Sequence, residues 1–577
     1  MIKTLSIEKI KSVNHIKSAF LSCLFIIQIL SACDKHSVIK SRQLTENIEQ
    51  YSKADFEIFL KESYTNPYDA GEIALNMILK NPEGQQVFLP CYFESGDQLN
   101  SKWKARFSPR QTGEFTYHFE ILIDGKKKAE SAKDRFIAKA SGKDGFLHTG
   151  DFWTLRFDSG KPFRGIGENI GWESRSFEDP KWNYDYFLPV LSNNGANFFR
   201  CWMAPNNFPL EWKIVKDTKR YTDSDEYFNP GGIKRLDEVI EMLDSLNLYV
   251  MLAFDSHNAL MVGNQWEIHN YNKKNGGPAE NPAEFFTLKE SREKYKNRLR
   301  YIVARWGYSP NIAAWEFFNE IDNAAYARQD SIIIPHNAIT DWHREMASYL
   351  KEIDPYDHIV TTSVSHREIE GLYALEDLDL NQMHIYKRTK QIPDGIIQYT
   401  EMYNKPFSWG EFGYEWDWNK DFSKIAEEFD HDFKTGLWYG LFHPTPVLPM
   451  SWWWEFFDER GMTDYFNSVA EINEFMLEAG NGSFELLEAN ADDFEAYAVK
   501  CGDKLFAYLL NDSGKPGYAS VKISANSFNN NRFSVIAYNP AERSYQNLGE
   551  ASVENEVVTI SGIELHHHQD LVLILSE

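Results

Sequence analysis

Among the 85 acidic residues of this chain, Glu320 and Glu411 are set apart by what precedes them. "NIAAWEFFNE" and "NKPFSWGE" each carry a largely apolar strand run to its end on a carboxylate. Strands that are apolar on both faces belong in parallel sheets covered by helices, so a charge at their end is a placed charge. An average acidic residue is a solvated surface group; the apolar run in front removes these two from that class. Two carboxylates facing one cleft suit glycoside hydrolysis, in which one group protonates the leaving oxygen and the other attacks the anomeric carbon or activates water.

Positioning them requires a closed sheet. From 141 to 481, apolar strands alternate with amphipathic helices, beginning with the strand "FRGIGENI" and making eight β-α units. The fold class expected is therefore α/β, a (β/α)8 TIM barrel, whose active site gathers at the carboxyl ends of the strands. An open doubly wound sheet fits less well, because no glycine-rich phosphate loop follows any strand. The strand ends read in order are Arg200 on strand two, Asp255-Ser256-His257 on three and Asn319-Glu320 on four. His384-Ile385-Tyr386 ends strand six, Trp409-Gly410-Glu411 strand seven, and Trp452-Trp453-Trp454-Glu455 strand eight. Strands four and seven lie across the barrel, so two Glu side chains there reach about 5 Å, a separation that suits direct nucleophilic attack and retention of configuration. By alternation Trp452 and Trp454 share a face of strand eight, and either suits the floor of a sugar subsite. Asp255, Glu316 and Glu455 are spare carboxylates with structural partners expected.

This set of strand ends resembles clan A of the glycoside hydrolases, and family five most. Such enzymes carry an Asn-Glu pair ending strand four and a Glu ending strand seven. Family five adds an Arg after strand two, a His after strand three, a His-x-Tyr on strand six and a Trp on strand eight. The counterparts here are Arg200, His257, Asn319, Glu320, His384, Tyr386, Glu411 and the run Trp452 to Trp454. The resemblance implies Glu320 as acid/base, its pKa raised by burial and a neighbouring carboxylate, and Glu411 as a nucleophile kept ionised by Arg200 and Tyr386. It implies Asn319 on the sugar 2-hydroxyl and His257 and His384 on sugar hydroxyls or the Glu320 proton path. The implied activity is that of a retaining β-glycosidase on an oligo- or polysaccharide. A glycan-binding surface lipoprotein without turnover is the alternative, and the intact Glu pair argues against it.

At 577 residues the chain exceeds one core and should hold two to four domains. Residues 51–140 alternate in short apolar runs broken by turn signals such as Asp124-Gly125, which reads as an N-terminal β-sandwich. Strand texture returns at 482–577, a second, C-terminal β-sandwich. Aromatic residues make up 15% of the chain, which suits flat apolar ligands such as sugar rings as well as large cores. A net charge of −25 without a basic stripe disfavours nucleic acid as a partner.

Residues 1–32 place lysines before the apolar run "AFLSCLFIIQILSA", the pattern of a secretory signal. Leu30-Ser31-Ala32-Cys33 resembles a bacterial lipobox, implying lipid on Cys33 and residues 33–50 as a polar tether. The location expected is extracytoplasmic, lipid-anchored to a bacterial membrane, with a carbohydrate as substrate and membrane contact through the anchor. The five cysteines show no CxxC and no pairing rhythm. No cofactor or metal is expected: three successive histidines, His566-His567-His568, cannot all face one ion, and "FRGIGENI" lacks a His-x-His. The sugar, its linkage, endo or exo action and oligomeric state are not legible in the residues. A long stretch after strand two, 204–232, is positioned to wall the cleft.

Overall fold

The computed structural model describes residues 39–173, 181, 183–217, 219–327, 332–528 and 531–576; the expected leader 1–32 and Cys33 lie outside them. Among the described residues no helix is long and apolar enough to cross a membrane.

The centre is a parallel barrel. Seven strands pair in chain order: β1 Gly167–Asn169, β2 Phe198–Trp202, β3 Tyr249–Ser256, β4 Ile312–Asn319, β5 Ile359–Val364, β6 Leu380–Tyr386 and β7 Phe407–Gly413. The eighth stave, β8 at 446–452, closes the ring through parallel bridges Gly165↔Val447, Glu168↔Ser451 and Phe412↔Ser451. Every residue of β2, β4 and β7 is buried, as strands covered on both faces require. The long helices packed outside are α1 Tyr184–Asn193, α2 Pro230–Leu246, α3 Lys289–Trp306, α4 His336–Ile353, α5 Ile392–Tyr403, α6 Ala426–Leu441 and α7 Phe466–Gly480. Local sequence sets their ends. Asn229 caps α2 by accepting from the amides of Gly231 and Gly232, with Pro230 in the first turn, and Asn247 stops it in a left-handed conformation at φ 51°.

Pairing register carries rim residues side by side: Asn169 with Arg200, Ser256 with Asn319, and His384 with Glu411. A register shift between Met383 and His384 produces the last pair by passing over Gly410. At the opposite end a small antiparallel sheet, Leu147–Thr149, Leu155–Phe157 and Pro162–Phe163, covers the barrel floor. Its Leu155, Phe157 and Phe163 join Met251, Ala314, Ile359 and Leu380 in one apolar cluster. One mouth is plugged, so the other is where a substrate enters.

The N-terminal strands form two sheets around a shared core that includes Phe56, Ile58, Trp103, Met77, Phe115 and Phe119. Asp124 and Gly125 both take positive φ, 48° and 69°, so the hairpin cue is realised. The expectation of a tether over 33–50 is corrected from Ile39 onward. Ile39–Gln43 pairs with Ala54–Leu60, and Ile48–Glu49 pairs with Asp134–Lys139. An edge strand buries few residues, here Ile39 and Ile48, so it carries too little apolar periodicity to be read as a strand. C-terminal to the barrel, nine strands between Phe484 and Ser576 make one sheet that packs on α6 and α7, with Trp438 stacked on Tyr508 at 5.4 Å.

Strand eight departs from its expected length. The last bridged residue is Ser451; Trp452 lies in a bend, and Trp454–Glu459 is a short helix. Alternation therefore stops before Trp454.

Candidate active site

Arg200 is the hub of the open rim. Fully buried on β2, it donates to both oxygens of Glu316 at 2.6 and 2.7 Å, to Asn169 Oδ1 at 3.0 Å, to Asn319 Oδ1 at 2.7 Å and to Glu411 Oε1 at 2.9 Å. The planar guanidinium fixes four neighbours at once, which a lysine could not do. Glu316, one of the spare carboxylates, is thus the group that orients Arg200. Holding Asn319 by its oxygen turns the amide nitrogen away, and that nitrogen is buried with no protein partner.

Glu411 ends up between charges and donors. Beyond Arg200, its Oε2 accepts from Tyr386 Oη at 2.6 Å and lies 3.4 Å from His384 Nδ1. Glu320 leaves β4 in a left-handed conformation, φ 53° and ψ 50°. This costs a non-glycine residue of order 1–3 kcal/mol and is typical of functional positions. The turn aims its carboxylate at His384 Nδ1, 2.9 Å away, and at Asn323 Nδ2, 2.8 Å away, with His257 Nδ1 at 3.6 Å. A carboxylate oxygen from each glutamate and the His384 nitrogen all lie within 4.8 Å of one another. Gly410 is required here: a Cβ on it would meet Gln382 Oε1 at 2.3 Å and His384 Nε2 at 3.1 Å.

Burial raises the pKa of both glutamates. For Glu320 the nearby Asp322 adds to the rise while His257, Arg200 and the Asn323 amide oppose it; for Glu411, the neighbouring Glu320 adds to the rise while His384, Arg200 and the Tyr386 hydroxyl oppose it. Burial also lowers His384 to about 4, which leaves it a neutral donor to Glu320.

The two glutamates open into a cleft of about 1270 Å³. Trp172, Trp202, Trp452, Trp416, Trp418 and Tyr399 supply its aromatic faces. Trp202 and Trp452 stack at 5.1 Å, and Trp416 and Trp418 are about half exposed. Residues 204–232 contribute Ala204, Asn206 and Lys216 to the cleft.

The expected residues Arg200, His257, Asn319, Glu320, His384, Tyr386, Glu411 and Trp452 converge on this rim. Trp454 does not. It begins the short helix behind the rim, edge-on to Trp452 at 5.1 Å, and is 2% exposed. Asn169, Asn323, Trp172, Trp202, Trp416 and Trp418 were not anticipated. Asn169 and Trp202 end their strands and were accessible to the same rule that found Glu320; the two loop tryptophans carry no such signal.

Residues 158–429 match the Cellulase (glycosyl hydrolase family 5) model, and residues 47–121 match a domain of unknown function, DUF5060. Mannan endo-1,4-beta-mannosidase A of Podospora anserina is 22% identical over 285 residues, covering 44% of this chain and 71% of that protein. Mannan endo-1,4-beta-mannosidase F of Aspergillus clavatus is 24% identical, over 42% of this chain and 56% of its own. Among solved structures, a putative glycoside hydrolase from Bacteroides vulgatus superposes with a TM-score of 0.66 at 16% identity, covering 92% of this chain and all of that one. A glycoside hydrolase family 5 protein from the same organism gives 0.52 at 15% identity over 75% of this chain and 94% of its own. These structures show the fold alone; the match of residues 158–429 to the glycosyl hydrolase family 5 model, with the mannosidase relatives, marks that part of the chain as a family 5 domain and supports a glycosidase.

Proposed function

We propose that the protein is a retaining β-glycoside hydrolase that cleaves an oligo- or polysaccharide by double displacement, with Glu411 as nucleophile and Glu320 as acid/base. The observation that carries this reading is the approach of the two carboxylates, with an oxygen of each within 4.8 Å of the other and of His384. That spacing leaves no room for a water between sugar and base, as an inverting reaction needs, and favours direct attack. In the first step Glu320 gives its proton to the glycosidic oxygen while Glu411 attacks C1, breaking the C1–O bond and forming a glycosyl ester. Arg200 and Tyr386 hold Glu411 ionised and in line. In the second step Glu320, now a carboxylate, takes a proton from water, which attacks C1 and releases Glu411. The free amide nitrogen of Asn319 is available to the sugar 2-hydroxyl, a contact that strengthens as positive charge develops at C1. Trp452 offers the ring floor, and the half-exposed Trp416 and Trp418 offer further stacking faces.

The names of the relatives put β-1,4-mannan first among polymers to try. The test is hydrolysis of a panel of β-glycans and aryl β-glycosides, with the anomer of the first product read by proton NMR. Retention in the wild type, and loss of turnover in Glu411→Gln with binding intact, are expected. Inversion would refute the mechanism, and binding without turnover in the wild type would establish a glycan-binding protein instead. The remaining expectations complete the proposal: export and lipidation at Cys33, anchoring outside the cytoplasm, the barrel over 141–481 and a β-sandwich before it; after it, the expected second sandwich is replaced by a β-domain whose nine strands form one sheet.

A further inference from the structure

Away from the rim, where α6 meets the C-terminal sheet, three metal-ligating side chains from distant parts of the chain meet. His431 comes from α6, Asp512 follows strand Lys504–Leu510, and His568 sits in the turn between strands Val557–Leu565 and Asp570–Ser576 with φ 59°. One ligand atom from each lies within 4.8 Å of the others. His431 Nε2 and His568 Nε2 are each 3.3 Å from the same oxygen, Asp512 Oδ1. The imidazole rings stack at 3.8 Å with an interplanar angle of 11°, so both nitrogens emerge on one side. The other carboxylate oxygen of Asp512 is paired with Lys390, which fixes Oδ1 toward the rings.

These separations have a metric meaning. Donors bound tetrahedrally at 2.0–2.2 Å from a zinc-sized ion stand about 3.3–3.6 Å apart along each edge of the tetrahedron, the length of the two His-to-Asp512 edges here. Two imidazoles and a carboxylate are a common donor set for such an ion, and face-to-face imidazoles protonated together against one carboxylate would leave two like charges in contact. Of the three successive histidines only His568 takes part. His567 instead accepts from the Gly514 amide through Nδ1. The geometric objection to three neighbouring ligands therefore does not apply, because the other ligands come from elsewhere.

We propose that His431, Asp512 and His568 bind a divalent transition-metal cation of the zinc type, water completing its shell, and that the ion fastens the C-terminal sheet to barrel helix α6. The site lies apart from the catalytic glutamates and does not depend on their assigned roles.

The experiment uses the full chain, stripped with chelator and titrated with zinc chloride by calorimetry, with melting followed in parallel. The glutamate pair with His384 is a rival zinc site, so Glu320→Gln serves as a control, and His567→Ala controls for the histidine run. The wild type should bind one zinc per chain and melt at least about 2 °C higher with it. His431→Ala and His568→Ala should each weaken binding by at least about tenfold and abolish the shift, while both controls keep it. Visible absorption of the cobalt-loaded wild type gives a second reading, since tetrahedral nitrogen and oxygen ligation produces intense bands, independent of how the variants fold. No zinc event in the wild type, wild-type binding retained in His431→Ala, or binding lost in Glu320→Gln would overturn the proposal.

Discussion

Removing one oxygen atom tests the electrostatics of Glu411, the proposed nucleophile. In Tyr386→Phe, Glu411 loses a donor at 2.6 Å, a length in the range of charge-assisted hydrogen bonds. Burial holds the Tyr386 hydroxyl well above its usual pKa, so in the wild type it stays a donor throughout the working range. A bond of this class is worth about 1.5–3 kcal/mol to the ionised carboxylate. At 1.36 kcal/mol per unit, this is about 1–2 pH units. The bond lowers the pKa of Glu411, so its removal raises it, and the loss of activity on acidification must begin at higher pH. The assay is kcat/KM on an activated aryl β-glycoside across the acidic limb, where the leaving group needs little help from Glu320. The variant's limb should lie about 1–2 units higher, with a deficit that grows to about 10–100-fold as pH falls and shrinks above both limbs. Residual contacts from Arg200 and His384 bound the effect from above. Superposable pH profiles for the two proteins would refute the assignment of Glu411 as a carboxylate that Tyr386 holds ionised.

Asn319→Ala should cut kcat by about 10–100-fold on substrates bearing a 2-hydroxyl and much less on 2-deoxy analogues, a comparison read by steady-state kinetics. Trp416→Ala should raise KM for a polymer several-fold and leave small aryl glycosides within about twofold, because a half-exposed ring acts through stacking of remote sugar units. Burial pushes Glu168 up to about 8, with only the Ser451 hydroxyl opposing as donor. Its folded-state pKa is raised, so its contribution to stability is fully present below the unfolded value near 4.5 and is lost as pH rises through about 8. Glu168→Gln should accordingly melt higher than the wild type at pH 8 and no higher at pH 4, which differential scanning calorimetry would show.

How much of this was legible depended on whether the determining contacts were local. The barrel strands announce themselves by unbroken apolar runs, and a polar residue at the end of such a run has few places to go except the rim. That rule located Glu320, Glu411, Asn319 and His384, and applied strictly it would also have taken Asn169. It failed at Trp454, where the chain leaves β8 two residues early and alternation no longer governs side-chain direction. For Glu316 the residues pointed to a structural partner without naming it; the partner is Arg200, reaching from two strands away. The strands at Ile39 and Ile48 were hidden for the opposite reason: edge strands bury too little to leave a pattern. The His431, Asp512 and His568 group is assembled by packing of a sheet on a helix, a long-range event that no window of sequence contains.

The left-handed backbone at Glu320 has a consequence for how this site persists. Glycine adopts that conformation without a side-chain clash, so exchanging the acid for glycine would relax the end of β4 while abolishing proton transfer. Selection for robust folding and selection for turnover therefore pull in opposite directions at this one position. If Glu320 is the acid/base proposed above, glycine at this position should leave the protein at least as stable while turnover is lost.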